Sequence, residues 1–207
     1  METNRTVKRT AFCFDMDGTI TKDELLPCIA SEIGIAEEIG LLTKATINGY
    51  IDFEASFRLR CLLLGQINPE VVQAVVANVP LDEHLLDFIK ERKEDCFILT
   101  GNLDIWISPI LKRCGCKAFS SHGEYNNGKL QLTSILNKGR AVRHIRSELC
   151  YERLVAVGDG ANDAAMLELA DVGIAFGGVH APAQAAVHAS RYVVHDGDAL
   201  CSLLRTL

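Results

Sequence analysis

The sequence predicts an α/β fold: a mostly parallel sheet flanked by helices, with an all-helical segment inserted directly after the first strand. Three observations carry that prediction. Short apolar runs of strand length alternate with helical patterns over roughly two thirds of the chain. Between Asp23 and Ala77 almost every segment reads helical and no strand is convincing. Finally, the apolar run Ala11 to Phe14 has the length of a buried strand and ends abruptly in Asp15-Met16-Asp17-Gly18-Thr19.

Residues 1–10 are polar and basic, a lead-in to that first strand. Helices are predicted at Asp23–Ile33, Ala36–Asn48 and Asp52–Leu64, each stopping near a glycine. A fourth, Pro69–Asn78, opens with proline in its first turn. Pro80 marks the return to alternation. Glu83–Lys93 is amphipathic, with Leu85, Leu86, Phe88 and Ile89 on one face. Cys96–Leu99 is a strand, Leu103–Arg113 a helix, and Lys117–Phe119 a short strand. His122–Gln131 reads as a hairpin turning at Asn126-Asn127-Gly128. Helix Lys138–Leu149, strand Leu154–Val157 and helix Ala164–Ala170 follow, then strands Val172–Phe176 and Tyr192–Val194 and a closing helix at Asp198–Leu204.

Composition narrows the function. The 207 residues are 48% hydrophobic and 23% charged, enough for a substantial core and unlike a disordered chain. A formal net charge of -6 without any Lys/Arg run argues against a nucleic-acid binder. No apolar run approaches the roughly 18 residues that would span a membrane, and Met1–Thr10 does not resemble a signal peptide. The eight cysteines lie mostly in apolar runs, where thiols behave as small hydrophobes. Cys114-Gly115-Cys116 lacks a second pair or a nearby histidine to complete a metal set and reads as incidental. The expectation is a cytoplasmic protein.

Asp15 and Asp17 are spaced i, i+2, which points both carboxylates to one side of an extended backbone. At the end of a buried strand two such acids repel unless a cation lies between them. Open α/β sheets bind ligands outside the carboxyl ends of their strands, so this stretch reads as a metal and phosphate site with a carboxylate nucleophile. Three further stretches carry suitable groups. Thr100 with Gly101 follows the second strand, where a hydroxyl and backbone N–H groups could hold a phosphate oxygen. Lys138, at a helix start, could neutralise a phosphoryl group. Asp159 and Asp163 lie in Gly158-Asp159-Gly160-Ala161-Asn162-Asp163, where the glycines serve no obvious packing need. Each has a bland alternative: a helix cap for Thr100 and Asn102, a solvated surface lysine for Lys138.

Together these stretches resemble the four motifs of the haloacid dehalogenase-like phosphatases, and the last one, with the helical insertion, is similar to the phosphoserine phosphatase branch. The resemblance implies a Rossmann-like core at residues 1–21 and 80–207 and a helical cap at 22–79. It implies Asp15 as nucleophile forming an aspartyl-phosphate, and Asp17 as the acid for the leaving alcohol and then the base for water. Mg²⁺ would be held by Asp15, the Asp17 carbonyl and Asp159, supported by Asn162 and Asp163. Thr100, Gly101 and Lys138 would hold the phosphoryl oxygens. Asp17 also fits a phosphatase better than a dehalogenase, which needs no second acid, or an ion-pumping ATPase, which carries threonine there.

In the cap, Glu24 resembles the acid that receives a substrate ammonium, though an acid in a helix's first turn has a purely structural use too. Arg60 falls where the branch has its carboxylate-binding arginine and Phe53 where a phenylalanine closes over the site. Arg58 is about 200° away from Arg60 around a helix, so only one can face the site, and Arg60 is chosen. Asn102 is a departure, since the branch usually carries glycine there. The implied activity is Mg²⁺-dependent hydrolysis of L-phosphoserine. The same chemistry on another small phosphorylated metabolite, phosphoryl transfer to a second alcohol, and a non-catalytic phosphate-binding module are the alternatives.

Overall fold

A computed structural model describes residues 9–207. The lead-in expected at residues 1–10 therefore lies, for residues 1–8, outside the described residues. The strands are β1 (Thr10–Phe14), β2 (Cys96–Leu103), β3 (Lys117–Asn126), β4 (Lys129–Ser134), β5 (Arg153–Gly158), β6 (Val172–Phe176) and β7 (Tyr192–Val194). They form one seven-stranded sheet in the order β4-β3-β2-β1-β5-β6-β7. Every neighbouring pair is parallel except the β3–β4 hairpin.

β1 is central and buried on both faces, which is why it reads as a continuous apolar run. Its side chains alternate between two cores. Phe12 and Phe14 join the larger cluster with Phe88 of α5 (Glu83–Glu91) and Trp106 of α6 (Asp104–Cys114). Ala11 and Cys13 face the smaller cluster beneath α7 (Lys138–Ser147) and α8 (Ala164–Leu169). Helices thus cover both faces, and α10 (Gly197–Thr206) packs beside α5 through Leu200, Cys201 and Leu204.

Four helices follow β1 without an intervening strand: α1 (Leu25–Ala30), α2 (Ala36–Ile47), α3 (Phe53–Leu64) and α4 (Pro69–Ala77). Their apolar faces supply Ile29, Ile39, Phe57, Leu64, Val72 and Val76 to the larger cluster. Burying each such side chain is worth about 1.5–3 kcal/mol, far more than the propensity of these short helices. The chain leaves and rejoins the sheet layer at one place, where Thr21 pairs antiparallel with Leu81.

Several expected boundaries move. β2 does not stop at Leu99 but runs to Leu103, so Thr100, Gly101 and Asn102 lie on a strand extension and not at a helix start. The pairing with β3 slips between Leu99 and Leu103, which lets this turn-like composition continue the strand. The helix-cap alternative for Thr100 and Asn102 also falls, because α6 begins after Leu103 with no side-chain cap. The strand expected at Lys117–Phe119 and the first arm of the hairpin are a single strand. The helix expected from Asp23 starts only at Leu25 and ends in a 3-10 turn, Ser31–Ile33. A five-residue helix, α9 (Gln184–His188), was not expected from the sequence.

Candidate active site

β1 sits between β2 and β5, whose connections leave on opposite sides, so the carboxyl end of β1 opens into a crevice. All four motif stretches meet there. Asp15 follows β1 directly and is 6% exposed; Asp159 follows β5 and is 2% exposed. Lys138 is the first residue of α7, held there by the Asn137 side chain, which accepts from Arg140 N at 2.9 Å. Its position aims the ammonium inward, and it is 5% exposed rather than the solvated lysine of the bland alternative.

The Lys138 ammonium donates to Asp15 Oδ1 and Asp163 Oδ1. The second Asp163 oxygen accepts from the backbone N–H groups of Asp159 (3.0 Å) and Gly160 (2.9 Å). Asp163 therefore ties the lysine to the loop after β5. That explains Gly158, contrary to the expectation that the loop glycines have no packing need: a Cβ there would lie 2.6 Å from the Asp163 carboxyl carbon. Gly18 adopts a φ of +68°, and a Cβ would meet His180 Nε2 at 2.9 Å. Thr19 Oγ1 donates to Asp159 Oδ1 at 3.2 Å. Thr100 is fully buried, its hydroxyl accepting from Asn102 N at 3.1 Å.

Three buried acids around one lysine make an electrostatically unsatisfied site. Burial, reinforced by Asp163, holds the Asp15 carboxyl well above the usual range despite Lys138. Asp17 is pushed up to about 7 by burial and then by Glu24, and Asp159 to about 6, chiefly by burial. Burial works against the Lys138 charge, yet Asp15 and Asp163 overcome it and hold the ammonium above its ordinary pKa. Asp15, Asp159 and Asp163 each bring a carboxylate oxygen within 4.8 Å of the others. Hard oxygen donors with excess negative charge suit a divalent cation such as Mg²⁺.

Residues of the helical segment line the same cavity: Glu24, Phe53 and Arg60, together with Asp15, Asp17, Gly101, Asn102, Asp159 and Asn162. The Phe53 ring lies against Gly101, where an added Cβ would sit 2.1 Å from the ring edge. Phe53 is fixed by stacking on Phe57, with ring centroids 5.5 Å apart. Arg60 is buried, its guanidinium donating to Thr43 Oγ1 (3.1 Å) and Ser56 O (3.3 Å), and burial lowers its pKa. Arg58 instead is exposed and pairs with Glu54 at 2.7 Å.

Glu24 is the N-cap residue of α1 and makes no capping bond, so its carboxylate stands beside the helix start without being tied to it. His180, which sequence reasoning did not single out, stands between the two halves of the site. Its Nε2 lies 3.3 Å from Glu24 Oε1 and 3.1 Å from Asp159 Oδ2. Those two carboxylates raise its pKa to about 10. The available signal was its place just beyond the end of β6, where α/β sheets collect ligand groups.

The model for haloacid dehalogenase-like hydrolases matches residues 12–168. The phosphoserine phosphatase of Methanocaldococcus jannaschii is 32% identical over 181 residues, covering 82% of this chain and 86% of that protein. That of Archaeoglobus fulgidus is 30% identical over 175 residues, 79% of this chain but 51% of the relative, so this chain spans about half its length. A solved structure of a phospho-aspartyl intermediate analogue of phosphoserine phosphatase is similar with a TM-score of 0.84 at 27% identity, covering 97% of this chain and 100% of the other. The chain belongs to the haloacid dehalogenase-like hydrolase family, in its phosphoserine phosphatase-like branch.

Proposed function

We propose that the protein is a Mg²⁺-dependent phosphomonoesterase that hydrolyses L-phosphoserine to serine and phosphate through an aspartyl-phosphate on Asp15. One observation carries the reading. A buried Asp15 paired with Lys138 shares a single cavity with a second acid, Asp17, and with an acid and an arginine of opposite charge, Glu24 and Arg60.

Asp15 attacks phosphorus while the bond from phosphorus to the serine oxygen breaks. The electron pair goes to that oxygen, which takes the proton of Asp17. Water then bonds to phosphorus and passes a proton to Asp17 as the bond to Asp15 breaks, which restores both carboxyl groups. Asp17, pushed up to about 7, is suited to give and take that proton near neutral pH. Lys138 and the Thr100–Gly101 segment hold the phosphoryl oxygens, and Asp163 keeps Lys138 in place. Asp15, Asp159 and the Asp17 carbonyl would hold Mg²⁺, supported by Asn162 and Asp163. When bound, the ion lessens the repulsion between an anionic nucleophile and an anionic ester.

The helical segment, residues 22–79, acts as a cap over the core, whose described residues are 9–21 and 80–207. Glu24 receives the substrate ammonium, Arg60 its carboxylate, and Phe53 closes over both. Support for phosphoserine comes from that charge pair and from the names of the relatives. Eight free thiols, several pushed up to about 12 by burial, suit a reducing compartment, and we read the protein as a cytoplasmic enzyme of serine biosynthesis. Among the described residues no helix is long and apolar enough to cross a membrane.

Phosphate release with Mg²⁺ from L-phosphoserine, phosphothreonine, phosphoethanolamine, phosphoglycolate and an aryl phosphate tests the reading. L-Phosphoserine is expected to have the highest kcat/KM. Equal activity across the panel would remove the substrate assignment, and silence on all five would remove the phosphatase.

A further inference from the structure

Asn102 is 5% exposed, yet its side chain is aimed at the reacting groups. Its amide Nδ2 donates to Asp17 Oδ2 and lies 3.3 Å from Thr100 Oγ1. The other Asp17 oxygen accepts from the backbone N–H of Leu25, the first residue of α1, at 2.9 Å. Both oxygens of one carboxyl are therefore held from two sides, by β2 and by the start of the helical segment.

The Asn102 end of that arrangement is rigid. Ser121 Oγ donates to Gly101 O at 2.6 Å and accepts from Leu136 N at 3.0 Å, which pins the strand extension just before Asn102. A carboxyl rotates freely about its last torsion, an sp³–sp² bond with a broad profile, so hydrogen bonds must set its plane. A neutral amide does this without placing a competing positive charge beside Lys138. Glycine at this position would leave Asp17 held on one oxygen only.

We propose that Asn102 is a positioning residue: it fixes the Asp17 carboxyl in the plane from which its proton reaches the departing alcohol oxygen. This rests on the phosphomonoesterase reading above. The step concerned is the first transfer, in which the phosphorus–oxygen bond to the leaving group breaks, its electron pair stays on oxygen, and the Asp17 proton joins it. Asn102 thereby governs leaving-group departure and not phosphate binding.

The test compares esters that differ in their need for that proton. An alkyl alkoxide must be protonated as it leaves, whereas 4-nitrophenolate is a stable anion at neutral pH. General acid catalysis contributes about 10²–10⁴-fold, so in Asn102→Ala a misaligned Asp17 should lower kcat/KM for L-phosphoserine about tenfold or more. For 4-nitrophenyl phosphate the change should stay under about threefold, since kcat/KM reports the steps up to leaving-group departure and 4-nitrophenolate departs without that proton. Asn102→Ser, whose hydroxyl is too short to span the same gap, provides the same comparison if the alanine variant does not fold. A parallel loss on both esters would mean that Asn102 merely supports the fold or the phosphate site, and would overturn the proposal. So would an unchanged kcat/KM on both. Wild-type protein inactive on both esters would instead sink the phosphatase reading, and the proposal with it.

Discussion

At the residue scale, the site is a set of charges that cannot be content by themselves. Asp15, Asp159 and Asp163 crowd around Lys138, and burial makes each uncompensated charge costly. Most of these residues were legible because their motifs are dense: two acids around a methionine at a strand end have few structural uses. His180 was not, since a lone histidine in a glycine-rich loop carries no period and no spacing, and its partners Glu24 and Asp159 are remote in sequence. Arg60 gives the sharpest residue-level prediction. A charge-assisted hydrogen bond is worth about 1.5–3 kcal/mol, so Arg60→Ala should raise KM for L-phosphoserine roughly 10- to 100-fold. Its kcat on an aryl phosphate, which offers no carboxylate, should change little. An unmoved KM for phosphoserine would remove Arg60 from substrate binding.

At the scale of the element, what matters is where strands end. The four-helix run and most of the α/β alternation were legible from period and turn signals, because apolar faces and glycine stops are local features. The extension of β2 through Leu103 was not. Thr100-Gly101-Asn102 has turn composition, and only the slipped pairing with β3 and the hydrogen bond from Ser121 to Gly101 O carry it onward as strand. That extension is what brings the Asn102 side chain to Asp17. Helix α9, five residues long, is too short for periodicity to register. Helix α3 carries Phe53 and Arg60 and starts at Asp52, whose carboxylate accepts from Ala55 N at 2.9 Å. Loss of such a cap costs about 1 kcal/mol, so Asp52→Ala should lower Tm by about 2–4 °C in a chain of this size. A Tm equal to wild type in a thermal scan would show that α3 does not depend on its cap.

For the whole molecule, the site makes stability depend on pH and metal. In the metal-free protein Asp17 and Asp159 titrate near 7 and 6, against about 4 in an unfolded chain. Between about pH 4 and 7 the folded state thus binds more protons than the unfolded one, and these groups lower stability as pH rises through that window. His180 acts above it: its stabilisation is complete below about 6.5 and lost as pH rises towards 10. Mg²⁺ needs the carboxylates ionised, so binding at low pH must expel protons. The rise in Tm produced by Mg²⁺ should therefore be larger at pH 8 than at pH 5. Equal shifts at the two pH values would mean that the buried acids do not receive the ion.

The phosphatase mechanism depends above all on an Asp15 oxygen bonding to phosphorus. Rapid acid quench of the enzyme turning over L-phosphoserine with Mg²⁺, followed by peptide mass analysis, measures this. The expected result is one acid-stable, base-labile phosphoryl group on the peptide containing Asp15, absent in Asp15→Asn along with phosphate release. Undiminished phosphate release by Asp15→Asn, or a phosphoryl group on any other residue, would contradict it.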